Sequence, residues 1–113
     1  MQKVYIVDGL RSPIGQFGGQ LSSWRPDDLL AELIRALMQK FPSVDPSAIE
    51  DVVIGCANQA GEDNRNIARM SLLLAGLPFS VPGETVNRLC ASGMSAIINA
   101  HARLAAGEGM LML

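Results

Sequence analysis

The stretch Glu84-Thr85-Val86-Asn87-Arg88-Leu89-Cys90-Ala91-Ser92-Gly93-Met94-Ser95-Ala96-Ile97 changes its hydrophobic period half-way, and that change sets the fold class. Residues 84–86 follow the Val81-Pro82-Gly83 turn signal and read as a short strand; from about Cys90 to Ala106 the apolar positions recur as in a helix. A cysteine thus falls where a strand gives way to a helix. Upstream, residues 4–7 (Val-Tyr-Ile-Val) end at Asp8-Gly9 and read as a buried strand, and Val52-Val53-Ile54-Gly55 reads as another. Between them Pro26-Asp27-Asp28 starts a helix with acids at the positive end of its dipole, and Leu29, Leu30, Leu33, Ile34, Leu37, Met38 and Phe41 share one face. Phe41-Pro42 stops that helix and Asp45-Pro46 opens a single turn. Ile67, Met70, Leu73 and Leu74 mark a further helix before Gly76 and Pro78. Strand and helix alternate, which predicts an α/β architecture: a parallel-type sheet with helices on its faces.

Two features do not fit a self-sufficient unit. The helix from Cys90 carries Ala91, Met94, Ala96, Ile97, Ile98, Ala100, Ala102, Leu104 and Ala105, so almost none of its circumference is polar. Such a helix is buried on every side. After Gly107-Glu108-Gly109, residues 110–113 (Met-Leu-Met-Leu) read as the start of a fourth strand. The breaker-rich loop of residues 11–25 is expected to pack on something. With 113 residues, 49% of them apolar, the chain can form one domain and no more.

Charge narrows the function. The net charge of −2 arises from interspersed acids and bases, with no basic run to bind nucleic acid or an anionic membrane. No apolar stretch approaches the roughly 20 residues of a membrane span and the start is no signal peptide, so a cytoplasmic location is expected. Cys56 and Cys90 then read as thiols and not as a disulfide.

At a helix start, the unpaired N–H groups of the first turn favour negative charge on the Cys90 sulfur, the form in which cysteine attacks. A small packed hydrophobe is the other reading of the same position, and the residues alone leave the two open. Cys56 closes a strand and reads as a packed core thiol. His101 lies about 16 Å along the same helix at ~1.5 Å per residue, out of reach of Cys90. Glu62 and Asp63 lack the ligand spacing of a calcium loop, Gly15, Gly18 and Gly19 make neither a dinucleotide fingerprint nor a phosphate loop, and no metal site is expected.

Residues 86–97 resemble the nucleophile motif of the thiolase family. Two further stretches agree with it in order and spacing: Arg11-Ser12-Pro13-Ile14-Gly15-Gln16-Phe17-Gly18-Gly19 and Gln59-Ala60-Gly61-Glu62-Asp63-Asn64-Arg65-Asn66-Ile67-Ala68-Arg69. The Gly-Glu-Asp-Asn-Arg-Asn loop is most similar to thiolases that cleave 3-oxoadipyl-CoA. The resemblance implies that Cys90 is acylated by a 3-oxoacyl-CoA, with release of acetyl-CoA, and that a second CoA removes the acyl group. The Cys90 N–H would contribute to an oxyanion site. Coenzyme A would be a substrate and no cofactor would stay bound. The family's activating histidine, second cysteine and oxyanion histidine lie in later segments, so residues 1–113 are expected to be an incomplete N-terminal domain, inactive alone and covered by a complementary segment or other copies. Arg65 and Asn66 fall on a loop that reaches the neighbouring subunit in thiolases, making them candidates for subunit contact. A related ketoacyl-synthase-like condensing enzyme and a non-catalytic fragment or interaction module are the alternative readings.

Overall fold

The computed structural model describes all 113 residues. Helix α1 (Pro26–Lys40) is followed by a 3-10 turn (Pro46–Ala48), strand β1 (Val52–Gly55), helix α2 (Ile67–Leu74), strand β2 (Gly83–Val86) and helix α3 (Ser92–Ala105). β1 and β2 run parallel, with Val52 opposite Gly83 and Gly55 opposite Val86, so β1, α2 and β2 form one βαβ unit. Residues 110–113 extend the sheet on the other side of β1. Met112 bridges Asp51 in parallel, and the amides of Glu50, Val53 and Leu113 bond to Leu111, Leu113 and Asp51 oxygens respectively.

Alternation along β1 assigns its two faces. Val52 and Ile54 join Ile34, Ile49, Ala68, Leu72, Leu77 and Val81 in the core beneath α1 and α2. Val53 and Gly55 face the other way, Val53 beside Ala96 and Gly55 against the first residues of α3. A Cβ at Gly55 would fall well inside contact distance of the Ser92 carbonyl carbon and the Gly93 nitrogen, so glycine is what lets α3 start hard against the strand. Gly83 does the same for α2, where a Cβ would lie 2.7 Å from the Arg69 nitrogen.

Helix ends follow the sequence signals closely. Pro26 opens α1, and the buried Asp27 is held by Arg25 at 3.1 Å. Asp45 caps the 3-10 turn by accepting from the Ser47 amide at 2.9 Å. Asn66, in the left-handed region at φ 60°, caps α2 by accepting from the Arg69 amide.

Two expectations are corrected. Residues 4–7 form no strand: Tyr5, Ile6 and Val7 stand out from the chain, because no strand lies beside them to complete a ladder. The buried side of α2 is Ile67, Ala68, Ser71 and Leu72, while Met70 and Leu74 are exposed. Ser71 masked that face in the sequence, since a hydroxyl among leucines reads as an outward position, and its Oγ has no hydrogen-bond partner. As the apolar circumference of α3 led us to expect, this chain does not cover that helix alone: it is buried along Ser92, Ser95, Ala96 and Ala105, and Met94, Ile97 and Ile98 are more than half exposed. In the loop of residues 11–25, Ile14 and Phe17 touch little of this chain.

Candidate active site

Parallel strands bring both cysteines to the same end of the sheet, since Cys56 follows β1 and Cys90 follows β2. Crevices beyond the carboxyl ends of parallel strands are where α/β folds bind ligands. The two connections are tied together: the Cys56 amide donates to the Val86 oxygen at 3.0 Å, and Asn87 Nδ2 donates to the Ala57 oxygen at 3.2 Å.

The turn from β2 to α3 is held from inside. Leu89 has φ 49°, a conformation that a branched residue adopts only under constraint. Its N–H donates to Asn87 Oδ1 at 2.9 Å, and its carbonyl accepts from Ser92 Oγ at 2.7 Å. Ser92 Oγ, buried, also accepts from the Arg88 amide at 2.8 Å. The polar groups of this turn therefore point inward, and Cys90 is exposed. Helix α3 begins at Ser92 and not at Cys90, with Ala91 as its cap residue and no side-chain cap. The amides of Cys90, Gly93 and Met94 donate to no oxygen of the chain, leaving three N–H groups around the start of α3.

Cys56 is not a packed core thiol. It is half-buried, and its Sγ donates to Asp63 Oδ2 at 3.5 Å. Asp63 organises the loop after β1 by accepting also from the amides of Gln59, Ala60 and Gly61 at 3.0–3.2 Å. Burial pushes the Asp63 carboxyl up, but the Ala60 amide and the Cys56 thiol, with further backbone amides, outweigh it and hold it below the usual carboxylate value. Glu62 turns away to Arg25 at 3.4 Å. No three His, Cys, Asp or Glu side chains gather as a metal set.

Asn66 and Arg65 part company. Besides capping α2, Asn66 accepts from Thr85 Oγ1 and donates to the Gly83 oxygen, both at 2.7 Å, so its side chain is occupied inside the chain. Arg65, at φ 58°, is exposed and in no ion pair. His101 is exposed on α3 and borders an apolar groove of about 640 Å³ that does not include Cys90. Residues 4–7 and 110–113 line that groove together with Leu37, Phe41, Ala96 and Leu104. No helix is long and apolar enough to cross a membrane.

The family model described as "Thiolase, N-terminal domain" matches residues 4–113. This chain belongs to the thiolase family. Among curated thiolases, the beta-ketoadipyl-CoA thiolase of Pseudomonas aeruginosa is 62% identical over 107 residues, which cover 95% of this chain and 27% of the relative. That of Pseudomonas knackmussii is 58% identical over 112 residues, 99% of this chain and 28% of the relative. The 3-oxoadipyl-CoA/3-oxo-5,6-dehydrosuberyl-CoA thiolase of Escherichia coli K12 is 55% identical over 113 residues, all of this chain and 28% of the relative. The chain thus spans a little over a quarter of the length of these thiolases. Their shared names agree with the subgroup that the residue 61–66 loop resembles. The sequence placed Asn87, Leu89 and Ser92 in the motif and Gly55 at a strand end, but not what each does to hold the turn. Asn87 and Gly55 carried usable signals, a turn-forming amide three residues before the cysteine and a glycine closing an apolar strand, whereas nothing in the sequence marks a leucine for positive φ.

Proposed function

We propose that this chain supplies the nucleophile-bearing segment of a thiolase acting on a 3-oxoacyl-CoA with an acidic acyl chain, 3-oxoadipyl-CoA being the first candidate. The observation that carries the reading is the exposed Cys90, delivered by a constrained turn to the start of α3 with unpaired amides around it. The relatives' names supply the substrate class.

In this reading the Cys90 thiolate attacks the keto carbon of the substrate. The developing oxyanion is met by backbone N–H groups, the Cys90 amide first. Collapse breaks the bond between the keto carbon and the adjacent CH₂, and that carbon takes a proton and leaves as acetyl-CoA. The acyl group stays on Cys90 as a thioester. A CoA thiol, losing its proton to a base, attacks the thioester, and Cys90 departs as thiolate. Sulfur serves both steps, being a good nucleophile and a good leaving group. Neither His101 nor Cys56 takes the proton: His101 borders the separate groove, and the Cys56 hydrogen is held by Asp63. The base, the second cysteine and the oxyanion histidine implied by the family belong to other segments, and residues 1–113 by themselves would not turn over. Coenzyme A is a substrate, with no cofactor retained, and Arg65 remains the better candidate of the two loop residues for a contact between subunits of a homo-oligomer in the cytoplasm.

The test is mass spectrometry of the protein as its gene encodes it, incubated with 3-oxoadipyl-CoA and no free CoA. A single acyl adduct on the peptide containing Cys90, discharged by added CoA and absent in Cys90→Ser, is expected. An adduct on another residue, or undiminished CoA-dependent cleavage in Cys90→Ser, would overturn the reading.

A further inference from the structure

The Leu89 peptide units are gripped at both ends, and the grip involves no group that could itself react. Asn87 Oδ1 takes the Leu89 N–H at 2.9 Å and Ser92 Oγ donates to the Leu89 carbonyl at 2.7 Å, while the same Ser92 oxygen receives the Arg88 amide at 2.8 Å. Asn87 is anchored in turn on the Ala57 oxygen of the neighbouring loop. The Leu89 side chain is 71% exposed, so packing does not hold its backbone at φ 49°. Left-handed backbone in a non-glycine residue is strained and persists only when its surroundings impose it. We propose that Asn87 and Ser92 are positioning residues for the acyl transfer: they clamp Leu89 in the left-handed conformation and so fix where the Cys90 sulfur and amide stand against α3. This rests on the reading of Cys90 as the nucleophile.

The chemistry explains why such a clamp matters. Cys90 contributes its sulfur as nucleophile and its N–H toward the oxyanion, and both depend on the same two dihedrals. A turn that relaxed Leu89 to negative φ would swing both groups together. An interaction that is needed as the new bond forms and not in the ground-state complex is lost from the transition state alone, so the loss should fall on kcat and spare KM.

The experiment compares Ser92→Ala, Asn87→Ala, Leu89→Gly and their combinations in the protein as its gene encodes it, measuring kcat and KM for CoA-dependent cleavage of 3-oxoadipyl-CoA and the rate of Cys90 acylation. Ser92→Ala and Asn87→Ala are expected to lower kcat and acylation roughly 10- to 100-fold, with KM within about twofold, since misplacement of about 1 Å costs on that order. Glycine adopts positive φ freely, so in the Leu89→Gly background the loss from Ser92→Ala should shrink several-fold. Asn87→Asp keeps the acceptor for the Leu89 amide but loses the donor to the Ala57 oxygen, so its kcat should fall between those of the parent and Asn87→Ala; it also serves if Ser92→Ala does not fold. Unchanged kcat in the alanine variants, or an equal loss with glycine at 89, would overturn the clamp. Cys90→Ser separates the two ideas: if it still forms the acyl-enzyme, the nucleophile assignment fails, and if it does not while the alanine variants act normally, only the clamp fails.

Discussion

The turn that carries Cys90 and the segment that lines the apolar groove could hardly be held more differently. The turn of residues 87–92 is mostly polar and exposed, yet the side-chain oxygens of Asn87 and Ser92 and the amides of Arg88, Leu89, Ala91 and Ser92 all have partners in the chain, and it sustains a left-handed leucine. Residues 4–7 are among the most apolar in the chain, yet they make no ladder. They are fastened only near their ends, by the Gln2 amide on the Ala105 oxygen and by Asp8 on Lys40 at 2.5 Å. The hydrogen bonds that shape the turn have both partners within this chain. Apolar character fixes a conformation only when a second surface meets it.

Gly55 offers the strongest way to break the comparison, because it is where the turn region leans on the core. Gly55→Val should destabilise the fold by about 3 kcal/mol or more, beyond the usual range for overpacking, since the obstacle is backbone and not a movable side chain. Urea unfolding would show it, and an unchanged midpoint would mean that α3 does not sit where the structure places it.

Asn66→Ala should cost about 1–2 kcal/mol by the same measurement, through the lost cap of α2 and the lost bonds to Gly83 and Thr85. A loss below about 0.5 kcal/mol would assign Asn66 back to an outward role.

Acid sharpens the contrast at α1. The Arg25 hydrogen bond and then the Asp28 amide hold the buried Asp27 carboxyl below its ordinary 3.8, against the opposing effect of burial. A depressed folded value means stability that is full above about pH 4 and is lost as pH falls through the folded value. Asp27→Asn should therefore lower stability at neutral pH and flatten its decline below about pH 4, and a decline as steep as in the parent would contradict this origin.

Ile6→Ser should have the smallest effect, within about 0.5 kcal/mol, if residues 4–7 stay as exposed as the structure shows. A loss of 2 kcal/mol or more would show that a further surface buries them in the folded protein.

The sequence made α1, β1, β2 and the single turn at Asp45-Pro46 legible because each announces itself locally, through a proline, an acid or β-branched residues. Residues 110–113 were legible from their apolar run after the Gly107-Glu108-Gly109 break and do extend the sheet. Residues 4–7 misled because strand character is written in one segment while pairing is decided by two. α2 misled by one position because Ser71 is buried without a partner. At the site, Cys90 was legible from the period change and from the family motif. The means of holding it was not, since the clamp is made by side-chain oxygens whose targets are backbone atoms, and periodicity carries no record of those.

The central claim is that the fold offers Cys90 and withholds Cys56, although both follow parallel strands at the same end of the sheet. Peptide mapping of iodoacetamide labelling in the native protein, with rates determined for each thiol, tests it most directly. Cys90, exposed beside unpaired amides, should be labelled at least about tenfold faster than the half-buried Cys56 bound to Asp63. Equal rates, or faster labelling of Cys56, would contradict the account.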